Sequence, residues 1–177
     1  MKLVWRSTGR FVADVRKDLS RRHAFAHERV GFVGVRAASA HDDGIVLIAD
    51  QYFPVADSDY VQDNRVGARI SQEAIRKALE VALLNKVGVF HVHMHLLPSK
   101  RLWFSDVDLQ DHDNLIPDFF KVRPEMPHGA LVLSPTSIAG RGWIGASNPQ
   151  PIGEFNTVGS TIQIIRASTV GDTPYNA

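Results

Sequence analysis

The segment Val87–His95 (VGVFHVHMH) constrains the fold of this chain most strongly, because it combines an apolar, valine-rich strand with three histidines. Side chains alternate between the two faces of a sheet, so His91, His93 and His95 are predicted to point to the same side. Buried imidazoles need hydrogen-bond partners or a metal, since burying an unsatisfied polar group costs roughly 1–3 kcal/mol. A solvated polar strand face is the alternative that this segment alone leaves open.

Apolar periodicity predicts the elements around this strand. Helices are expected at Val12–Leu19, at Ser71–Asn85, and from Ser105 or Asp106 to about Phe119. Further strands are expected at Leu3–Arg6, Arg29–Arg36, Gly44–Pro54, Ala130–Leu133, Gly142–Ile144 and Thr161–Ile165, with a turn at Asp42–Gly44, a loop at Val55–Arg69 and a frayed tail at Thr169–Ala177. Strands and helices mixed in this order predict an α/β sandwich in one domain.

The amino-acid composition argues against several classes of function. Lys and Arg number 20 against 19 Asp and Glu, so no bulk charge favours binding to nucleic acid or to an anionic membrane. The absence of cysteine excludes disulfides, thiol nucleophiles and thiolate metal sites, so any metal must be held by His, Asp or Glu. The opening MKLVWRSTGR is too polar for a signal peptide, and no apolar run approaches ~20 residues, so a cytoplasmic protein is expected.

The His-x-His spacing is typical of a zinc site. Two imidazoles at alternate strand positions can share a tetrahedral zinc at ~2.0–2.1 Å, and a third ligand must then lie nearby. Asp108 is the candidate, because Ser105 and Asp108 lie three apart on one face of a helix's first turn.

His-x-His followed by Ser-x-x-Asp resembles the signature of the JAMM (MPN+, or JAB domain) zinc metallo-isopeptidases. The segment His27–Gly34 (HERVGFVG) is similar to the family's glutamate ahead of a glycine-containing apolar strand, and Trp103–Leu109 (WFSDVDL) is similar to the corresponding segment of members that cleave ubiquitin chains. The resemblance covers roughly Arg10 to Pro117 and is loose from Phe120 to Ala177.

The resemblance implies a fold and its boundaries. The expected architecture is an MPN/JAB, cytidine-deaminase-like α-β-α sandwich with a mixed central sheet, formed as one domain over residues 1–177. Its core would span about residues 10–120, with C-terminal strands in 129–166 and a tail at 167–177.

The resemblance also implies a zinc site with His93, His95 and Asp108 as ligands, Glu28 as general base and Ser105 as hydrogen-bond donor to the oxyanion. An alternative register pairs His91 with His93. The apolar lead-in Gly88–Phe90 favours that register, whereas the shorter loop to the serine favours the His93/His95 pair. His93 is a ligand in both, and the spare histidine would line the site or support a ligand.

The implied activity is hydrolysis of the peptide or isopeptide bond after the C-terminal glycine of a ubiquitin-like protein. That protein's tail and its conjugates would be the partners, together with E1-like and E2-like proteins of a bacterial conjugation system of the kind that acts against phage. Alternatives are a JAMM peptidase for sulfur-carrier adducts and a non-catalytic MPN scaffold, although scaffold relatives usually lose the zinc ligands or the glutamate. Asp57 and Asp59 are candidate contacts for basic residues of the bound tail.

Other residues have ordinary structural interpretations. Glu28 alone is also consistent with a surface residue, and Ser105 with a helix N-cap. Trp103 and Phe104 are interpreted as core or loop anchors that could also border a substrate groove. Surface positions without a role are expected for His23, His27, His41, His112 and His128, and for Asp106 and Asp111.

Overall fold

A computed structural model describes residues 1–24, 26–40, 44–63, 67–98, 102–145 and 148–166. The described residues form, in chain order, β1 (Leu3–Thr8), α1 (Gly9–Leu19), β2 (Val30–Ser39), β3 (Ile45–Pro54), α2 (Gln72–Asn85), β4 (Gly88–Met94), α3 (Asp106–Val122), β5 (His128–Leu133), β6 (Ile138–Trp143), β7 (Gln150–Val158) and β8 (Ile162–Arg166). A short 3-10 turn at Asp57–Asp59 interrupts the predicted loop. Within these ranges, no helix is long and apolar enough to cross a membrane.

The strands form one mixed sheet in the order β1-β3-β2-β4-β5-β6-β7-β8. The pairs β1–β3, β1–β7 and β4–β5 are parallel, and the other neighbouring pairs are antiparallel. Because β1 pairs with β3 on one edge and β7 on the other, seven strands close into a barrel and β8 extends beyond it. The α/β class and the mixed sheet are therefore confirmed, whereas the sheet closes on itself instead of remaining an open sandwich layer.

Two apolar cores lie on opposite faces of the sheet. The barrel interior holds Trp5, Phe90 and Phe155, and α1 packs against it through Val15 and Leu19. The outer face of β2 and β4 is covered by the apolar faces of α2 and α3, with Ala74, Ala78, Ala82, Ile116 and Phe119. Helices therefore cover both faces of the central strands.

Strand β4 shows the predicted alternation. Phe90, Val92 and Met94 enter the barrel core, and Val89 joins the outer core. His91, His93 and His95 follow the phase of Val89, and successive imidazole centroids are 6.0 and 5.3 Å apart. The prediction that the three histidines share one face is confirmed.

Most predicted elements are present with shifted ends, but β7 was missed. Pro151 and Gly153 interrupt its apolar pattern, and both residue types are unfavourable in strand interiors. Helix α3 continues through Pro117 to Val122, three residues beyond the predicted end. The Asp42–Asp43 part of the predicted turn, His41 and the tail at Thr169–Ala177 lie outside the described residues.

Candidate metal centre

Pairing between β2 and β4 brings a distant glutamate to the histidine strand. Val30 at the start of β2 lies opposite His93 in this antiparallel pair, so Glu28, two residues ahead of Val30, reaches the end of β4 where the histidines are. One ligand atom each from Glu28, His93 and His95 lie within 4.8 Å of one another. Two ligands of one zinc at ~2.0–2.1 Å can be about 4 Å apart at most, so this group needs only a small contraction to hold a metal ion.

His93 is the buried centre of the group. Its side chain is 2% exposed, and neither ring nitrogen has a hydrogen-bond partner among the described residues. Burial lowers the pKa of His93 to about 4, although the nearby Asp108 carboxylate acts in the opposite direction. The ring is therefore neutral at pH 7, which is the form that binds a metal, and its unsatisfied nitrogens indicate a missing polar partner.

The first turn of helix α3 places Asp108 beside His93. The helix begins with a capping box, in which the Ser105 hydroxyl accepts a hydrogen bond from the Asp108 amide at 3.2 Å. The Ser105 amide and hydroxyl both donate to Asp108 Oδ2, at 2.8 and 2.7 Å. The same Oδ2 is 3.7 Å from His93 Nε2. Asp108 therefore lies next to His93 but is not one of the three residues whose ligand atoms are all within 4.8 Å of one another.

The N-cap interpretation of Ser105 is confirmed, and its role as oxyanion donor stays a prediction. In the structure its hydroxyl proton is directed at Asp108. A rotation about the Cβ–Oγ bond would be enough to redirect this proton toward an acceptor near Oγ.

Glu28 lies in a partly buried position beside the same group. Burial raises the pKa of the Glu28 carboxyl, the charge of Asp108 raises it further, and His95 and His27 act in the opposite direction. A raised pKa makes a carboxylate a stronger proton acceptor, which is the property that a general base needs. Glu28 is therefore half-buried and not a fully exposed surface residue.

His91 has a different partner from the other two histidines. Its Nδ1 lies 3.4 Å from Nε2 of His112, and Nη2 of Arg141 lies 3.2 Å from Nδ1 of His112. Since arginine can only donate, His112 accepts at Nδ1 and carries its proton on Nε2. Burial lowers the pKa of His91 to about 3 and that of His112 to about 2. The closest group of ligand atoms contains His93 and His95, the pair that the shorter loop favours, while His91 contacts His112. The assignment of either pair as metal ligands stays a prediction.

The expectation of surface positions for His112, His128 and His23 was wrong. His112 and His128 have no exposed surface, and the His23 side chain is 2% exposed. The Val89 amide donates to Nδ1 of His128 at 3.0 Å, while Nε2 of His128 lies 2.9 Å from the Arg123 carbonyl. His27 is exposed as expected, as are Asp106 and Asp111.

A sequence signal for one of these buried histidines existed. His112 precedes Ile116 by four residues and Phe119 by seven, which is the spacing of one helix face. All three residues are buried against the sheet. His112 therefore extends the buried face of α3 by one turn toward its N-terminus, beyond the part that the apolar residues Ile116 and Phe119 indicate.

Two aromatic residues border the site in different ways. Trp103 is 64% exposed, and its ring centroid is 6.4 Å from that of His95. Phe104 packs inward, with its ring 6.1 Å from His93 and 5.0 Å from His112. Phe104 is thus an anchor as predicted, whereas Trp103 lies on the open rim of the site.

Asp57 and Asp59 already have cationic partners in the chain. Arg29 Nη1 lies 2.7 Å from Asp57, and Lys77 Nζ lies 2.7 Å from Asp59. The Asp59 side chain is also only 10% exposed. These contacts argue against the expectation that the pair receives basic residues of a substrate.

Comparison with known proteins identifies no family for this chain. No family model and no curated protein matches it. Among solved structures, the N-terminal domain of STIL from Trichoplax adhaerens superposes with a TM-score of 0.35 at 11% identity, over 75% of this chain and 38% of that one. A likeness of that size is too weak to support an argument about fold or function.

Proposed function

We propose that this chain is a JAMM-type zinc metallopeptidase with an MPN/JAB fold. It would hydrolyse the peptide or isopeptide bond after the C-terminal glycine of a ubiquitin-like protein. The observation that carries the proposal is the buried His93, which lies among His95, Glu28 and Asp108 and whose ring nitrogens have no hydrogen-bond partner in the part of the chain that the structure describes. Each of these residues belongs to the sequence motif that resembles the JAMM signature.

The residues present fit a zinc ion. The resemblance assigns His93, His95 and Asp108 as its ligands, and binding would draw Asp108 toward His95, because the tightest group in the structure has Glu28 in place of Asp108. Three protein ligands would leave a fourth position open, as in catalytic rather than structural zinc sites. Zinc in such a site supplies a Lewis acid that lowers the pKa of bound water to about 7. The Ser105–Asp108 capping box holds one carboxylate oxygen of Asp108 in place, which is the outer support that metal ligands usually have.

The remaining groups have separate roles in the proposed reaction. Glu28 accepts the proton of the attacking water and passes it to the leaving amine. The Ser105 hydroxyl rotates from Asp108 toward the substrate and donates to the oxygen of the tetrahedral intermediate, a contact worth roughly 3–4 kcal/mol in comparable sites.

The substrate class rests on the resemblance in sequence. The proposed partners are the C-terminal tail of a ubiquitin-like protein, its conjugates, and E1-like and E2-like proteins of the same cytoplasmic pathway. A bacterial conjugation system that acts against phage is the proposed setting.

Metal content and cleavage together test this proposal. Wild-type protein reconstituted with zinc is expected to retain about one zinc per chain by mass spectrometry, and Asp108→Ala is expected to lose it. Ser105→Ala removes the same helix cap without removing a ligand, so it should still take up zinc, with an affinity reduced roughly 10–100-fold by the lost support to Asp108. If wild-type protein retains no zinc after reconstitution, the proposed metal site is refuted.

Glu28→Gln then separates catalysis from metal binding. It should retain zinc and cleave fusions of ubiquitin-like proteins roughly 10²–10⁴-fold more slowly, because the proton acceptor is gone. Zinc binding by the wild type with no cleavage of any such fusion, by intact mass, would refute the substrate class and leave the metal site standing.

A further inference from the structure

Arg29 fixes the chain on one side of Glu28. Its side chain is 3% exposed, and its Nη1 donates to Asp57 at 2.7 Å. Its Nε and Nη2 donate to the backbone carbonyls of Arg21 and Arg22, at 2.9 and 3.0 Å. Three charge-assisted hydrogen bonds of this kind hold the start of β2 in one place.

Gly67 holds Glu28 from the other side. The backbone amides of His27 and Glu28 both donate to the Gly67 carbonyl, at 2.8 and 2.9 Å. A Cβ atom placed on Gly67 would lie 3.0 Å from Oε2 and 3.2 Å from Cδ of Glu28. The Glu28 carboxyl group therefore rests directly against the Cα atom of Gly67, and any side chain at position 67 would displace it by a few tenths of an ångström.

The same carboxyl group faces the histidines. One of its oxygens lies within 4.8 Å of ligand nitrogens of His93 and His95. The segment that carries Gly67 is thus in contact with the Glu28 backbone and with its carboxyl group.

We propose that Gly67 is a positioning residue for the Glu28 carboxylate, which it seats against the metal centre; this inference rests on the proposed zinc site. The Gly67 carbonyl fixes the backbone of Glu28, and the missing side chain at position 67 leaves room for the carboxylate. Residues that orient a metal's neighbours typically change metal affinity or activity roughly 10–100-fold when replaced. Displacement of a catalytic group by about 1 Å can cost a similar factor in rate.

The first test uses Co²⁺ in place of zinc as a spectroscopic probe of the site. Glu28→Gln is expected to shift the visible absorption bands of the Co²⁺-loaded protein, and Gly67→Ala is expected to shift them in the same direction. Gly153→Ala is the matched control, because its Cβ would meet nothing nearer than 3.8 Å, and its spectrum should match the wild type.

The second test needs no metal. Gly67→Ala is expected to lower the melting temperature of the metal-free protein, and the added change Glu28→Asp, which shortens the acid by one methylene, should recover part of that loss. Such a non-additive pair shows direct contact between the two positions.

Each outcome decides the inference. A Gly67→Ala spectrum equal to the wild type beside a shifted Glu28→Gln spectrum overturns it and leaves the zinc site standing. An unchanged Glu28→Gln spectrum, or strictly additive melting temperatures, also overturns it. Wild-type protein that takes up neither Co²⁺ nor Zn²⁺ refutes the proposed function, and the inference falls with it.

Discussion

Buried, neutral His112 predicts a specific loss of stability in acid. Its ring has no exposed surface, and burial lowers its pKa to about 2, with the neighbouring His91, Arg141 and His93 acting in the same direction. An unfolded histidine has a pKa of about 6.5. Because the folded value lies below the unfolded one, the stabilisation is present above pH 6.5 and is lost progressively as the pH falls toward 2.

The size of the effect follows from proton linkage. Between pH 7.5 and 5.5 the folded His112 stays neutral, while the unfolded one passes from about one-tenth to about nine-tenths protonated. This difference lowers the free energy of unfolding by about 1.4 kcal/mol over the interval. Other buried histidines add to the total in the wild type, so the contribution of His112 must be measured by difference.

Urea denaturation of the metal-free protein at pH 7.5 and pH 5.5 gives that difference. His112→Gln is expected to lose about 1.4 kcal/mol less than the wild type between the two pH values, whatever its absolute stability. Leu115→Ala, in the same helix, should lower stability at both pH values equally, since no titrating group is removed. If His112→Gln retains the full wild-type pH dependence, the argument for a buried neutral imidazole is refuted.

Three further predictions concern stability and the rim of the site. Arg29→Met should lower the free energy of unfolding by about 2 kcal/mol, because its charged hydrogen bonds are lost, whereas the exposed Arg36→Met should change it by less than about 0.5 kcal/mol in the same urea titration. Gly88→Ala should cost about 3 kcal/mol or more, because the new Cβ would lie 1.9 Å from the Pro127 carbonyl oxygen; a melting temperature equal to that of Gly153→Ala would contradict this. Co²⁺ should quench tryptophan fluorescence through Trp103, which lies beside His95, and most of the quenching should be absent in Trp103→Phe.

Local signals in the sequence predicted the parts of the fold that depend on neighbouring residues. Ser71 and Ser105 both cap helices as expected, and their hydroxyls accept from Ala74 and Asp108. The alternation in β4 placed its histidines on one face. In each case a pattern of a few residues determines the geometry, so it can be read without knowledge of distant contacts.

Closure of the sheet could not be predicted in the same way. Closure depends on the pairing of β1 with β7, in which Trp5 lies opposite Phe155, 150 residues later in the sequence. The apolar pattern of β7 is interrupted, so the sequence did not indicate a strand there. The burial of His128 was hidden for a related reason. Its contacts with Val89 and Arg123 come from segments that meet only in the folded chain.

The choice between the two histidine pairs depends on strand register, which the motif does not contain. Val30 lies opposite His93; a slip of two residues would place His91 there and would move a different pair toward Glu28. The shorter loop to Ser105 favours the His93/His95 pair, which is also the pair that lies beside Glu28. The apolar lead-in disagreed because it describes burial of the strand and carries no information on pairing.

Two glycines hold β4 in the register that builds the site. The Gly88 Cα lies so close to the Pro127 carbonyl that a Cβ there would be 1.9 Å away, and a Cβ on Gly129 would lie 2.3 Å from the Phe90 ring. A two-residue slip that moved His91 to the place of His93 would carry Lys86 to the place of Gly88, and the opposite slip would carry Phe90 there. Both residues have a Cβ atom, and only glycine fits beside Pro127. The bulky core strand and the glycines around it therefore exclude the neighbouring registers, and the position of His93 at the candidate metal centre follows from packing on the opposite face of the strand.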